Sequence, residues 1–260
     1  MQQELELLLE RFSALEAESS TVDIAPAEGL LVVRADGIKQ SKRFLKDELE
    51  NPRYRTALHK AVGITFRMWR DWAPEPSRPF ILAALRLSDE VSFVLNRGDN
   101  YYGRRILKIT TTLASTLSGA MSLAIAPPVA RKSPRMLSVA AFDGRPLILG
   151  GEDELVSYIR CRRLLHARNA MAKVLRLESE FSDSQLYDEA PRLADDIHRL
   201  GREVGARSLW DRFDRAVSGS ALYTAGSGKE LDGRTLPGDP QDEGIVRQAV
   251  ERACGKGRRR

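Results

Sequence analysis

Gly29-Leu-Leu-Val-Val-Arg34-Ala-Asp-Gly37 is a β-branched, apolar run that stops abruptly on an acid and a glycine, the pattern of a buried strand entering a turn. Two more apolar runs, Phe80-Ile-Leu-Ala-Ala-Leu-Arg86 and Val91-Ser-Phe-Val-Leu95, flank Ser88-Asp89-Glu90 and read as two strands joined by a turn. Between the first and second runs, Asn51 to Trp72 spaces its apolar residues as a helix does. The order is therefore strand, helix, strand, turn, strand. A helical crossover makes the first two strands parallel and right-handed. Asp36 and Asp89 then emerge on one edge of the sheet, where open α/β folds place their ligands.

Carboxylates gathered on such an edge repel one another, and no Lys or Arg adjacent in sequence cancels both. A cation is their natural partner. Hard oxygen ligands, few in number and fixed on strand ends, suit Mg²⁺ with waters and substrate phosphates completing its shell. The expected ligands are Asp36, the Gly37 carbonyl and Asp89, with Glu90 a further ligand or a base behind them. Two such ions assist an in-line displacement at a nucleotide phosphate, which makes Asp36, Asp89 and Glu90 the predicted catalytic set. Taken singly, Asp-Gly and Ser-Asp are ordinary turn pairs; their meeting on one edge is what favours chemistry.

Arg104-Arg-Ile-Leu-Lys108 opens a predicted helix from Tyr101 to Ile125. Cations are disfavoured at a helix start unless an anion joins them, so Arg104, Arg105 and Lys108 are predicted to bind a triphosphate. The Thr, Ser and Ala content of that helix predicts close packing on the sheet. Arg145, after an Asp-Gly turn, holds phosphate or pairs with a carboxylate. In a helix predicted from Glu152 to about Leu177, Arg162, His166, Asn169 and Lys173 share one stripe, suited to an RNA 5′ end or to solvated surface.

At these residues the chain resembles the tRNA-histidine guanylyltransferase family, including members that act as 3′-to-5′ polymerases in tRNA 5′-end repair. The R-x-D-G strand end appears as Arg34-Ala-Asp-Gly37, the Q-S-D-E hairpin as Leu87-Ser-Asp-Glu90, and the R-[RK]-x-x-K helix start as Arg104 to Lys108. The F-D-x-R strand is matched by Phe142-Asp-Gly-Arg145, and the last helix by Tyr158-Ile-Arg-Cys-Arg162 and His166-Ala-Arg-Asn169. Leu87 replaces Gln, Asn51-Pro52 replaces Lys-Pro, and Leu164 replaces Asp. After residue 180, Leu200-Gly201 to Trp210 is at best a degraded echo of the family's Lys-Asn-Glu motif. The resemblance implies that Ser88 contacts a triphosphate, where Ser otherwise caps a turn. It also implies two Mg²⁺ ions, ATP or GTP as substrate, a tRNA or similar RNA 5′ end that is activated and then extended, and a homo-oligomer, a tetramer in the family.

The chain has 260 residues, 42% of them hydrophobic, enough for a real core, and a net charge of +5 that permits a polyanionic partner. Arg131, Lys132, Arg135 and the terminal Arg258-Arg259-Arg260 are segments that meet phosphate backbones or stay solvated. No run approaches a membrane span, and residues 1 to 20 read as an amphipathic helix and not a signal peptide, so a cytoplasmic protein is expected. Cys161 and Cys254 lack metal-site spacing. The predicted fold is α/β: a palm-like, ferredoxin-type antiparallel sheet with helices packed on one face. A catalytic domain is expected over 1–180 and a helical, loop-rich segment over 181–260, with little core after Ser218 and a short helix from Gly244 to Cys254. Two rivals to a 5′-end nucleotidyltransferase are a palm-type nucleotide cyclase and an RNA- or nucleotide-binding module that has lost catalysis.

Overall fold

The computed structural model describes residues 2–40, 51–73, 80–96, 101–125, 139–178, 221–225, 231–235, 247, 248, 250 and 251. Its elements are α1 (Gln2–Ser19), β1 (Leu30–Gly37), α2 (Pro52–Asp71), β2 (Ile81–Leu87), β3 (Glu90–Leu95), a 3₁₀ turn (Tyr101–Arg104), α3 (Ile106–Ile125), β4 (Phe142–Leu149), α4 (Glu152–Glu178), β5 (Ala221–Ala225) and β6 (Leu231–Thr235). The six strands form one sheet in the order β4-β1-β3-β2-β5-β6, and every neighbouring pair is antiparallel. Since β3 lies between β1 and β2, these two run parallel, as the crossover requires.

Local chemistry explains the α2 crossover. Asn51 caps it, its Oδ1 accepting from the backbone N–H of Arg53 at 3.0 Å and Tyr54 at 3.2 Å, and Pro52 takes the first position, where no N–H is needed. Leu58, Ala61, Val62 and Trp69 turn inward and meet Val33, Ala84, Phe93 and, from α3, Leu113 and Leu117. α3 approaches β4 closely through its small residues, as its composition predicts. A Cβ on Gly144 would lie 3.0 Å from both Ala114 Cβ and Thr110 Cγ2. Ser118 and Ser122 accept from the N–H groups of Phe142 at 3.0 Å and Ala140 at 2.9 Å, tying the helix to the strand that follows it.

The palm-like antiparallel sheet is as predicted, but helices on one face describe only α2 and α3. On the other face Leu5 and Phe12 of α1, with Leu155, Val156 and Ile159 of α4, bury Leu30, Val32, Leu85, Val94 and Leu147. The reason is visible in β2 and β3, whose residues are buried without alternation, so both faces need cover. Full burial of a Leu or Phe contributes about 1.5–3 kcal/mol, and each layer supplies several.

Two other expectations are corrected. Tyr101 to Ile125 is not one helix: Tyr102, Gly103 and Arg104 adopt positive φ (52°, 62° and 56°), so α3 starts only at Ile106. After Ser218, two short strands stand where loop with little core was expected. β5 pairs with β2 (Arg86 opposite Ala221) and β6 with β5, and Tyr223 is buried. Five-residue runs between Gly-rich stretches leave little periodicity to read; the open edge of β2 pairs with β5, and β5 with β6. Helical backbone recurs at Arg247, Gln248, Val250 and Glu251, inside the predicted terminal helix. The segments carrying Arg131, Lys132 and Arg135, the Leu200–Trp210 echo and the arginine tail lie outside the described residues. No helix among those described is long and apolar enough to cross a membrane.

Candidate active site

β1 delivers Asp36 to the edge of the sheet in register with Glu90 on one side and Asp143 on the other. Ser88 and Asp89 form the two-residue turn between β2 and β3, with Leu87 opposite Glu90. Ser88 has φ 53°, a conformation such hairpins normally assign to Gly or Asn, so local strain is held at this corner. The Gly37 N–H donates to the Asp89 carbonyl at 3.2 Å and binds the two acid-bearing segments to each other. Asp36, Gly37, Ser88, Asp89 and Glu90 are thus brought together as predicted. Burial pushes the Asp36 carboxyl above the usual range, and the charges of Glu90 and then Asp89 add to the shift, opposed by Arg34 and Arg162. Asp36 itself makes no ion pair among the described residues.

Glu90 plays a different part. It is buried at 7% exposure and gripped by both arms of Arg162, Nε to Oε1 at 2.9 Å and NH2 to Oε2, with Arg34 NH1 3.7 Å from Oε2. Arg34 NH2 also donates to Glu16 at 3.0 Å. Arg145 lies 3.4 Å from the same Glu16 oxygen and 2.9 Å from Asp143. Three cations and three carboxylates close a self-neutral chain under the edge. Burial works against the Arg162 charge, yet Glu90 beside it holds its pKa above the ordinary value. Bidentate pairs of this kind fix geometry more than they add stability.

On the α2 face, Tyr54 is buried and its hydroxyl is pushed above the ordinary phenol range by burial and then by the charges of Asp89 and Asp36. Arg86, 5% exposed, donates from Nε to the Tyr223 hydroxyl at 3.1 Å, and His59 Nδ1 is 3.2 Å from that oxygen. Burial, then Arg86, depresses the His59 pKa. The sequence reading gave no role to Tyr54, Arg86 or the Arg34 side chain. A lone arginine inside each of two apolar strand runs was the available signal, because such a charge needs a buried partner.

Several predicted site residues stand elsewhere. β3 runs away from the acidic edge, so the helix after it starts at the opposite end of the sheet. There the Ala25 N–H donates to the Arg104 carbonyl at 2.9 Å, and the Ile106 N–H to Asp23 at 2.9 Å, just before β1 begins. Arg104, Arg105 and Lys108 are therefore not joined to Asp36 and Asp89. Lys108 lies over the Tyr102 ring, Nζ 4.4 Å from its centroid. Arg145 takes the carboxylate alternative. Arg162 leaves its stripe and turns under the sheet to Glu90, since α4 is covered on this side and not solvated. Farther along α4, His166 and Lys173 are half-buried and Asn169 is exposed, accepting from Arg168 at 3.4 Å. Among the described residues, no three His, Cys, Asp or Glu side chains gather as a metal cage. Two carboxylates and a carbonyl, relieved of like-charge repulsion by a cation, nevertheless fit an ion that keeps waters and phosphates in its shell.

The family model for tRNAHis guanylyltransferase (Thg1) matches residues 11–149, more than half of the chain and the span that carries β1 to β4. The chain belongs to the tRNA-histidine guanylyltransferase family. Similar solved structures include a bacterial tRNA(His) guanylyltransferase (Thg1)-like protein in complex with ATP: 17% identity, TM-score 0.63, covering 93% of this chain and 98% of that one. The complex of such a bacterial protein with GTP gives 16%, 0.57, 93% and 98%. The tRNA(His) guanylyltransferase from Saccharomyces cerevisiae gives 17%, 0.58, 85% and 94%. At these identities the likeness is one of fold. No curated protein matches. Within the guanylyltransferase family the matched span includes Asp36, Asp89, the Arg104–Lys108 corner and Arg145, and stops before α4.

Proposed function

We propose that this member of the tRNA-histidine guanylyltransferase family is a metal-dependent nucleotidyltransferase that adds nucleotides to the 5′ end of a tRNA or similar RNA after activation by ATP or GTP. The observation that carries the reading is Asp36 and Asp89 on one sheet edge, in a chain of this family. Asp36, the Gly37 carbonyl and Asp89 would hold Mg²⁺. Two ions bound there would stabilise the attacking and leaving oxygens of an in-line displacement. Arg162 and Arg34 hold Glu90 beside Asp36, so Glu90 shapes the site's charge and its geometry. Ser88 presents its backbone and hydroxyl next to Asp89, in reach of a nucleotide phosphate. His166, Asn169 and Lys173 remain candidates for RNA contact along α4. Arg104, Arg105 and Lys108 act, on this reading, on substrate away from the metal edge. A homo-oligomer, as the family resemblance implies, belongs to the same proposal.

The test is incubation with labelled NTPs and Mg²⁺, with and without 5′-monophosphorylated tRNA. RNA lengthened at its 5′ end is the expected product. A cyclic or linear dinucleotide formed without RNA would replace the proposal with a cyclase. Binding of RNA and NTP without turnover would replace it with a binding module.

A further inference from the structure

Gln40 carries an observation that the proposed chemistry leaves unused. It is 2% exposed, and its Oε1 is buried with no hydrogen-bond partner among the described residues. The turn after β1 puts it there. Ile38 points outward at 52% exposure, Lys39 adopts φ 55°, and the chain then brings Gln40 back under the strand end. A Cβ built on Gly37 would lie 2.5 Å from Gln40 Cγ, 2.9 Å from its Cβ and 3.1 Å from the Asp89 carbonyl oxygen. The stem of Gln40 thus fills the space that the glycine leaves, next to the peptide of Asp89. A buried amide oxygen without a donor is costly, and so is a left-handed lysine. Neither is needed to build the sheet.

The neighbours of this oxygen explain what it lacks. Beside the Gln40 stem, Asp36 and Asp89 in their ionised forms and the carbonyls of Gly37 and Asp89 are acceptors, and the Tyr54 hydroxyl, which feels the charge of both acids, makes no hydrogen bond to Oε1. A phosphate would add acceptors only. With no donor among the described residues in reach of Oε1, the ligand is the source that the site's chemistry offers. We propose that Gln40 Oε1 is a positioning acceptor for an O–H group brought to the Asp36–Asp89 edge, supplied by a water on a divalent cation or by a ribose hydroxyl of the nucleotide. The inference rests on the reading of this edge as a metal and nucleotide site. Nothing in it needs a charge change at Gln40.

The full-length chain and its Gln40→Met and Gln40→Glu variants test it, with metal and nucleotide binding as readouts alongside thermal melting. Without ligand, Gln40→Met is expected to melt at or above wild type, since it removes an unsatisfied buried atom of similar size. If a metal-bound water is the donor, Mn²⁺ alone should bind this variant about 10-fold more weakly, the usual scale for losing an outer partner of a metal ligand. If a ribose hydroxyl is the donor, Mn²⁺ binding stays as in wild type, and the wild-type preference for ATP over 2′,3′-dideoxy-ATP disappears. Gln40→Glu keeps an acceptor at the same reach and should restore whichever property is lost. The proposal is overturned if Gln40→Met melts well below wild type, if it keeps both metal affinity and the ribose preference, or if Gln40→Glu fails to rescue. Wild type that binds neither Mn²⁺ nor ATP would overturn the reading of the site itself and this inference with it.

Discussion

The two ends of the sheet are built on opposite principles. At the acidic end Asp36, Glu90 and Asp143 stand in cross-strand register, Ser88 and Lys39 adopt positive φ, and the Gln40 amide oxygen is unsatisfied. At the other end Trp69 stacks on Phe80 at 5.4 Å and 10°, Tyr101 packs against Phe80 at 4.6 Å, and Tyr102 meets Tyr101 at 4.5 Å under Lys108. Positive-φ residues and unsatisfied buried polar atoms occur at both ends, Tyr102, Arg104, Trp69 Nε1 and the Tyr101 hydroxyl at the second, so the difference lies in aromatic packing there against like charge at the first. A fold so divided should separate loss of activity from loss of stability, and the predictions below test that separation.

The largest effect belongs to the acidic end. Asp89→Ala should lower nucleotidyl transfer by about 10³-fold or more, roughly 4 kcal/mol of transition-state stabilisation, while the variant still folds and melts cooperatively. Single-turnover assays with Mg²⁺ and a melt of the same sample decide it; near-normal turnover would mean that Asp89 is only a turn residue. The mirror-image result is expected at the aromatic end. Trp69→Ala, at a site with no exposure and rings on several sides, should cost about 3–5 kcal/mol in urea unfolding while each folded molecule keeps its turnover.

A smaller effect sharpens the comparison through pH. The folded chain holds the Asp36 carboxyl above its ordinary value of 3.8, so the folded state keeps its proton longer than the unfolded state does. Stability without metal should therefore fall as pH rises from about 3.8 through the raised folded value, and stay lower above it. Asp36→Asn should abolish that decline and melt higher than wild type at neutral pH. Added Mg²⁺ should raise the melting temperature of wild type and not of the variant. Equal melting of the two proteins across the range would show that Asp36 carries no unrelieved repulsion.

The smallest effect is expected of Lys108→Ala. It removes a cation over the half-buried Tyr102 ring, worth about 0.5–1 kcal/mol of stability, and leaves NTP affinity at the metal edge unchanged. A clear loss of NTP affinity in equilibrium titration would tie the two ends functionally and break the division drawn between them.

Much of the fold was legible because its signals are local. Apolar β-branched runs ending at Asp36 and before Ser88, an Asn-Pro helix start and a Ser/Thr/Ala helix each follow from a few neighbouring residues, and the crossover rule then puts Asp36 and Asp89 on one edge. The short β5 and β6 were not legible, since β5 pairs with an edge of β2 more than a hundred residues away and β6 in turn with β5.

By itself the sequence determined that a parallel pair of strands would carry two acids to a common edge, and that five ordered motifs resemble one family. The tertiary structure alone decided where charge is compensated. Arg162 and Arg145 are each consistent with phosphate or RNA binding when read along the chain, yet both, together with Arg34, close on carboxylates of α1, β3 and β4. Arg104, Arg105 and Lys108 follow the acidic hairpin closely in sequence, yet β3 carries the chain across the sheet before they appear. Strand direction and long-range pairing set these outcomes, because a guanidinium takes whichever carboxylate the fold leaves within reach, and sequence spacing does not measure that distance.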